Sequence, residues 1–149
     1  MFLIDTNVIC EVRKGSRANP SVRAWFLHHA AEAHYLSVLT VGEIRRGIEK
    51  IRPKDAAQAL VFEKSLAEIV AIFVGRILVV GLDEAEIWGR LCPHDRLPDV
   101  DALLAATAIR HGLVVATRNT KDFVGSGVEV LNPWEFSGPP AAIHDSDGV

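Results

Sequence analysis

Four carboxylates stand where their positions, more than their number, suggest chemistry. Asp5 follows the apolar run Met1-Phe2-Leu3-Ile4 and precedes Thr6-Asn7-Val8. A buried strand stops where its charged residue reaches solvent, so Asp5 is expected at a strand's C-terminal end. In open α/β sheets that edge is where ligands bind. Glu43, Asp101 and Asp122 each sit where a regular element begins or lies alongside one. Asp101 shares a helical stripe with Leu104, Ala105 and Ala108, which turns it inward, where a charge needs a partner or a metal. A helix N-terminus helps keep it ionised by roughly 0.3–1 kcal/mol. Taken singly, Asp5 also reads as a helix cap, Glu43 as a solvated helix residue and Asp122 as a turn former.

Gathered at one sheet edge, the four would repel. At ~4 Å and an effective dielectric near 20, each like-charged pair costs roughly 4 kcal/mol. The group must then protonate, splay apart or hold a cation. Mg²⁺ or Mn²⁺, hard ions that prefer oxygen ligands, resolve the conflict. One or two such ions would suit metal-assisted hydrolysis of a phosphodiester. Competing chemistries lack their residues. There is no His-x-x-x-His or paired-Cys pattern for zinc, and the neighbours His28-His29 read as surface. No Ser-His-Asp arrangement offers a nucleophile. A haloacid-dehalogenase phosphatase needs an Asp where Asn7 stands, and a dinucleotide site needs a Gly-rich turn after the first strand.

Alternating strands and helices must position these acids. Phe2-Ile4 reads as a first strand, followed by a helix over about Asn7-Arg13 ended by Gly15. Pro20 fits the first turn of a helix to about Ala30, capped by Asn19 or Ser21. Tyr35-Val38 is a second strand, and Glu43 rides on the next helix with Ile44, Ile48 and Ile51 as its stripe, stopped by Pro53. A further helix spans about Asp55-Phe73, with Leu60, Leu66, Ile69 and Phe73 apolar. Ile77-Val80 is a third strand, and Asp83 caps a helix toward Leu91. After a loop over Pro93-Pro98, Val100-Ile109 is apolar nearly all round, as in a buried central helix. Gly112 ends it, Leu113-Ala116 is a central strand, and Val128-Leu131 is the last. The pattern implies an α/β fold with a parallel sheet between helical layers. Residues 1–136 form one domain, and 137–149 read as a frayed tail.

Composition agrees with a single domain. The chain has 149 residues, 49% of them hydrophobic, enough for a real core. No apolar stretch reaches the ~18–20 residues of a membrane span. The N-terminus lacks a basic segment before its apolar run, which argues against a secretory signal. Cys10 and Cys92, far apart, read as reduced cysteines of a cytoplasmic protein. The formal net charge of −3 gives no global attraction for nucleic acid, so a polyanion partner requires local basic patches. Three lie beside the acids: Arg13, Lys14 and Arg17; Arg45, Arg46 and Lys50; Arg118 and Lys121. They would make a basic rim around an acidic centre.

The segments Ile4-Asp5-Thr6-Asn7, Ser37 to Gly47, Asp101 to Ala108 and Thr117 to Phe123, with Asn132-Pro133-Trp134 near the end, resemble the PIN-domain ribonucleases. The likeness is strongest to VapC/FitB-type toxins of bacterial toxin–antitoxin pairs, and it spans the chain to about Phe136. It implies a PIN-like three-layer α/β/α sandwich with a central parallel sheet. It also implies a Mg²⁺-dependent endoribonuclease, a homodimer, and a VapB/FitA-type antitoxin whose C-terminal segment blocks the acidic pocket. The family's metal-binding acids map onto Asp5, Glu43, Asp101 and Asp122, its small polar positions onto Thr6 and Thr117, and a supporting amide onto Asn7. Many relatives carry an acid where this chain has Asn119, which can coordinate through its amide oxygen or hold a water, at lower metal affinity. Asp99 reads as a helix cap or supporting group, with the role of metal ligand in place of Asp101 as the lesser alternative. The alternative is a non-catalytic PIN-like module that binds RNA or serves as a scaffold.

Overall fold

The computed structural model describes residues 1–91 and 99–138. The expected loop at 93–98, Cys92 and most of the expected tail lie outside them. Five strands form one parallel sheet in the order β3-β2-β1-β4-β5: β1 (Phe2–Ile4), β2 (His34–Ser37), β3 (Ile77–Leu78), β4 (Val114–Ala116) and β5 (Val130–Leu131). The first strand is therefore central. Phe2 lies opposite both His34 and Val114, and Ile4 opposite Ala116.

Successive strand residues face opposite sides of a sheet, and β1 uses both. Ile4 joins a core with Val8, Trp25, Leu36, Ile44, Ile48 and Leu66. That face is covered by α1 (Thr6–Val12), α2 (Pro20–His28), α3 (Val38–Ile51) and α4 (Ala56–Ile72). Leu3 joins Leu104, Ala105, Ala108, Val115 and Phe123 on the other side, beneath α6 (Asp99–His111). Helix α5 (Leu82–Leu91) packs on α6. The result is the expected helix–sheet–helix sandwich.

Local rules account for most element ends. Asn19 Oδ1 accepts from the Ser21 and Val22 amides ahead of α2, with Pro20 as its first residue. Ser37 caps α3 and Asp55 caps α4. Gly112, at φ +62°, closes α6 in the left-handed conformation.

Four expectations are corrected. Asp83 does not cap α5: the Glu84 carboxylate accepts from the Gly81 amide at 2.9 Å, while Asp83 pairs with Arg110 at 2.9 Å. Leu60 is half exposed, because the inward stripe of α4 passes through Ala59, Leu66 and Ile69. The outer strands β3 and β5 are two residues each, shorter than read, since an edge strand is paired on one side only. The pair His28-His29 is not simply surface. His29 packs its ring 4.7 Å from Phe2, and its Nδ1 lies 2.9 Å from the Trp25 carbonyl oxygen.

Candidate active site

Parallel strands end at the same edge, and here that edge collects the acids. Asp5 leaves the end of β1. Thr117 and the short 3₁₀ turn Thr120–Phe123, which carries Asp122, leave the end of β4. Helix α3 follows β2 directly and presents Glu43 in its second turn. Helix α6 leads into β4, so its N-terminal turn, with Asp101, starts at the edge where β4 finishes.

Asp5 is the N-cap of α1, accepting from the Thr6 amide at 2.7 Å through Oδ1. Capping does not exhaust it. Oδ2 accepts from Asn7 Nδ2 and from the Thr117 hydroxyl, both at 2.7 Å. Three of roughly four acceptor positions are thus filled, so a carboxylate that is only 7% exposed has its hydrogen-bonding capacity largely met. The supporting groups are themselves held. Thr117 Oγ1 accepts from Asn7 Nδ2 at 3.1 Å and from the Asn119 amide at 3.0 Å, while Asn7 Oδ1 accepts from the Arg118 amide at 3.1 Å. Thr6 donates its hydroxyl to Glu43 Oε2, tying the α3 acid to the end of β1.

Asp101 shows that the four charges meet. Its carboxyl is pushed up to about 6, first by burial, then by the charges of Asp5, Asp122 and Glu43. The sequence placed it at a helix N-terminus, which favours the anion. Burial and repulsion outweigh that contribution. Glu43 and Asp122 are exposed, and so is Asn119. Asp99 opens α6, also exposed, and is not among the charges acting on Asp101. Among the described residues, no three His, Cys, Asp or Glu side chains converge tightly enough to hold an ion by themselves.

The basic residues divide into tied and open groups. Arg45 is paired with Glu63 at 2.6 Å and Glu49 at 3.6 Å. Lys14 pairs with Glu11 at 2.6 Å. The Arg13 guanidinium lies over Phe62 at 4.7 Å, and that of Arg118 over Trp134 at 5.2 Å. Arg46 and Lys121 are exposed. The sequence marked Cys10 only as a reduced cysteine, yet its thiol stands close enough to feel Asp5 and Glu43; burial, the largest influence, pushes it up. Nothing local marks Cys10, since only the packing of α1 brings it there.

A model of the PIN domain matches residues 2–124. The chain belongs to the PIN-domain family. Its relatives include VapC ribonuclease Y4jK of Sinorhizobium fredii, 33% identical, the match spanning 91% of this chain and 99% of that protein. Toxin FitB of Neisseria gonorrhoeae is 35% identical over 90% of this chain and 99% of its own. The crystal structure of FitAcB from N. gonorrhoeae superposes with a TM-score of 0.82 at 34% identity, covering 91% of this chain and all of that one. The likeness to VapC/FitB-type toxins and the sandwich fold are therefore as read. The matched span of the PIN domain holds all four acids, while β5 and Trp134 lie beyond it. No helix among the described residues is long and apolar enough to cross a membrane.

Proposed function

We propose that this PIN domain is a Mg²⁺-dependent endoribonuclease, with Mn²⁺ as a substitute, and the toxin of a toxin–antitoxin pair in the cytoplasm. The observation that carries this reading is the sheet edge that gathers Asp5, Glu43, Asp101 and Asp122, where burial first, and then the charges of the other three, raise Asp101 to about 6. A fold does not keep mutually repelling acids at a sheet edge for stability. The relatives named ribonuclease and toxin point the same way.

The donor set is all oxygen, as a hard divalent ion prefers. Mg²⁺ commonly takes one or two carboxylates with waters and substrate phosphate, so an open acidic edge fits it without a closed cage. Asp5, Glu43, Asp101 and Asp122 would hold it, with Asn119 in support. When bound, the ion supplies Lewis-acid polarisation of the scissile phosphate and an activated water. The chain's own work is positioning. Asn7 and Thr117 fix the Asp5 carboxylate, and Thr6 fixes Glu43. Asp99 opens α6 at the margin of this edge, in a supporting place. Arg13, Lys14, Arg46, Arg118 and Lys121 draw the RNA backbone to the rim, and Arg45 adds to them only when it leaves Glu63.

A VapB/FitA-type antitoxin and a second copy of the chain are the protein partners of this reading. Exposed Leu60 and Ile72 on α4, with the apolar groove of Val38, Val41, Leu66 and Val70, support such contacts. One observation bears on the non-catalytic alternative: among the described residues, no three acids enclose an ion unaided. End-group analysis decides between them. Cleavage of single-stranded RNA should yield 5′-phosphate and 3′-hydroxyl ends and stop with EDTA. Activity that survives chelation sinks the metal reading, and wild type with neither metal binding nor cleavage establishes the scaffold.

A further inference from the structure

Beside the acidic edge, between the end of α1 and one face of α4, lies a recess of about 580 Å³. That volume lies within the range of small-molecule and nucleotide sites. Its polar lining is Arg13, Lys14, Arg17, Gln58 and Ser65, with Phe62 as an apolar wall. Cys10 also lines it and joins it to the acids, because the Cys10 thiol feels both Asp5 and Glu43 as well as Arg13 and Lys14. We propose that this recess binds a backbone phosphate of the RNA strand adjacent to the scissile one, a proposal that rests on the ribonuclease reading.

Charge is the first argument. The whole chain carries −3, yet the lining has three cations and no acid. A concave wall of one sign concentrates the field and with it an anionic ligand. The second argument is which cations are unspent. Arg45 and Arg52 lie against Glu49 and Glu63, at 2.6 and 2.8 Å for their shortest contacts, so much of their charge is already answered within α3 and α4. Arg13 and Arg17 have no carboxylate partner among the described residues. Lys14 leans on Glu11, which lies outside the lining.

Geometry is the third. Stacking on Phe62 at 4.7 Å holds the Arg13 guanidinium as a planar fork. Such a fork suits two phosphate oxygens at once. Gln58 and Ser65 add neutral donors, and they come from α4, whose sequence carries no nucleic-acid motif.

The test uses full-length Asp5→Asn protein titrated with a dye-labelled single-stranded oligoribonucleotide across a salt series. Arg13→Gln or Arg17→Gln should weaken binding roughly tenfold and lower the slope of log K against log salt by about 0.7 per lost phosphate contact. Arg13→Lys should restore the slope, because it keeps the charge. Arg90→Gln, on α5 and paired with Glu86, should change neither quantity. If the parent binds RNA with steep salt dependence and wild type cleaves it, yet both recess variants match the parent, the recess proposal is overturned and the ribonuclease reading stands. If wild type neither binds nor cleaves RNA, both fall. Recess variants that keep RNA affinity but release a co-purifying antitoxin would assign the recess to protein instead, and overturn the phosphate.

Discussion

The two edges of the sheet bury ionisable groups in opposite ways. At the C-terminal edge, Asp5 is surrounded by donors: a backbone amide, an amide side chain and a hydroxyl. At the N-terminal edge, His34 begins β2 opposite Phe2, 1% exposed, and neither ring nitrogen has a partner among the described residues. Its ring stacks on Phe26 at 4.3 Å, near Phe2 and Trp25. Burial, then the nearby His29 and Arg76, pushes it down to about 4. One group is met by donors on both oxygens; the other is held toward its neutral form and serves as an aromatic. Burial alone does not mark a functional site. What marks it is the cost the fold accepts to keep a charge in place.

The largest expected effect breaks the acidic edge. Asp5→Asn swaps a charged acceptor for a group that turns an NH₂ either toward both Asn7 Nδ2 and the Thr117 hydroxyl or toward the Thr6 amide. RNA cleavage should fall roughly 10³-fold, measured under saturating Mg²⁺. A variant with near-normal turnover would strip Asp5 of its role.

The opposite edge predicts a pH effect on stability. Because His34 titrates near 4 when folded and 6.5 when free, the unfolded chain takes the proton first. The contribution is complete above the free value and is lost as pH falls from 6.5 toward about 4, amounting to about 3 kcal/mol. Denaturant melts of wild type and His34→Phe should therefore diverge across that window, the variant being the less pH-sensitive. Parallel curves would show that His34 has a partner in solution.

The smallest effect sharpens the contrast. Asp101 is strained toward its neutral form by burial and three like charges. Asp101→Asn should thus stabilise the metal-free protein near neutral pH, on the order of 1 kcal/mol, while removing activity. A destabilised variant would mean that Asp101 is paired, as Asp5 is.

Much of this could be read in one dimension. The apolar runs, caps such as Asn19 before Pro20, and Gly112 after α6 act within a few residues, so they are legible locally. The acids were legible because each stands beside a strand or helix end. Asp83 misled because a capping residue and a surface ion-pair partner look alike until Arg110 is in place. Leu60 misled because a helix rich in apolar residues does not declare which stripe faces inward. His34 gave no signal, for nothing near it in sequence foretells a cage of Phe2, Trp25 and Phe26.

The sequence by itself determined which elements form, in what order, and which carboxylates stand at their ends. Those are matters of local propensity and of the alternation that yields a parallel sheet. Only the tertiary structure decided that β1 is central, that Thr117 and Asn7 close on Asp5 from 112 and 2 residues away, and that Arg13 meets Phe62 across a basic recess. Strand order, and not spacing along the chain, brings those groups within reach of one another. Hydrogen bonds and charge interactions then act only over the few ångströms that packing leaves between them.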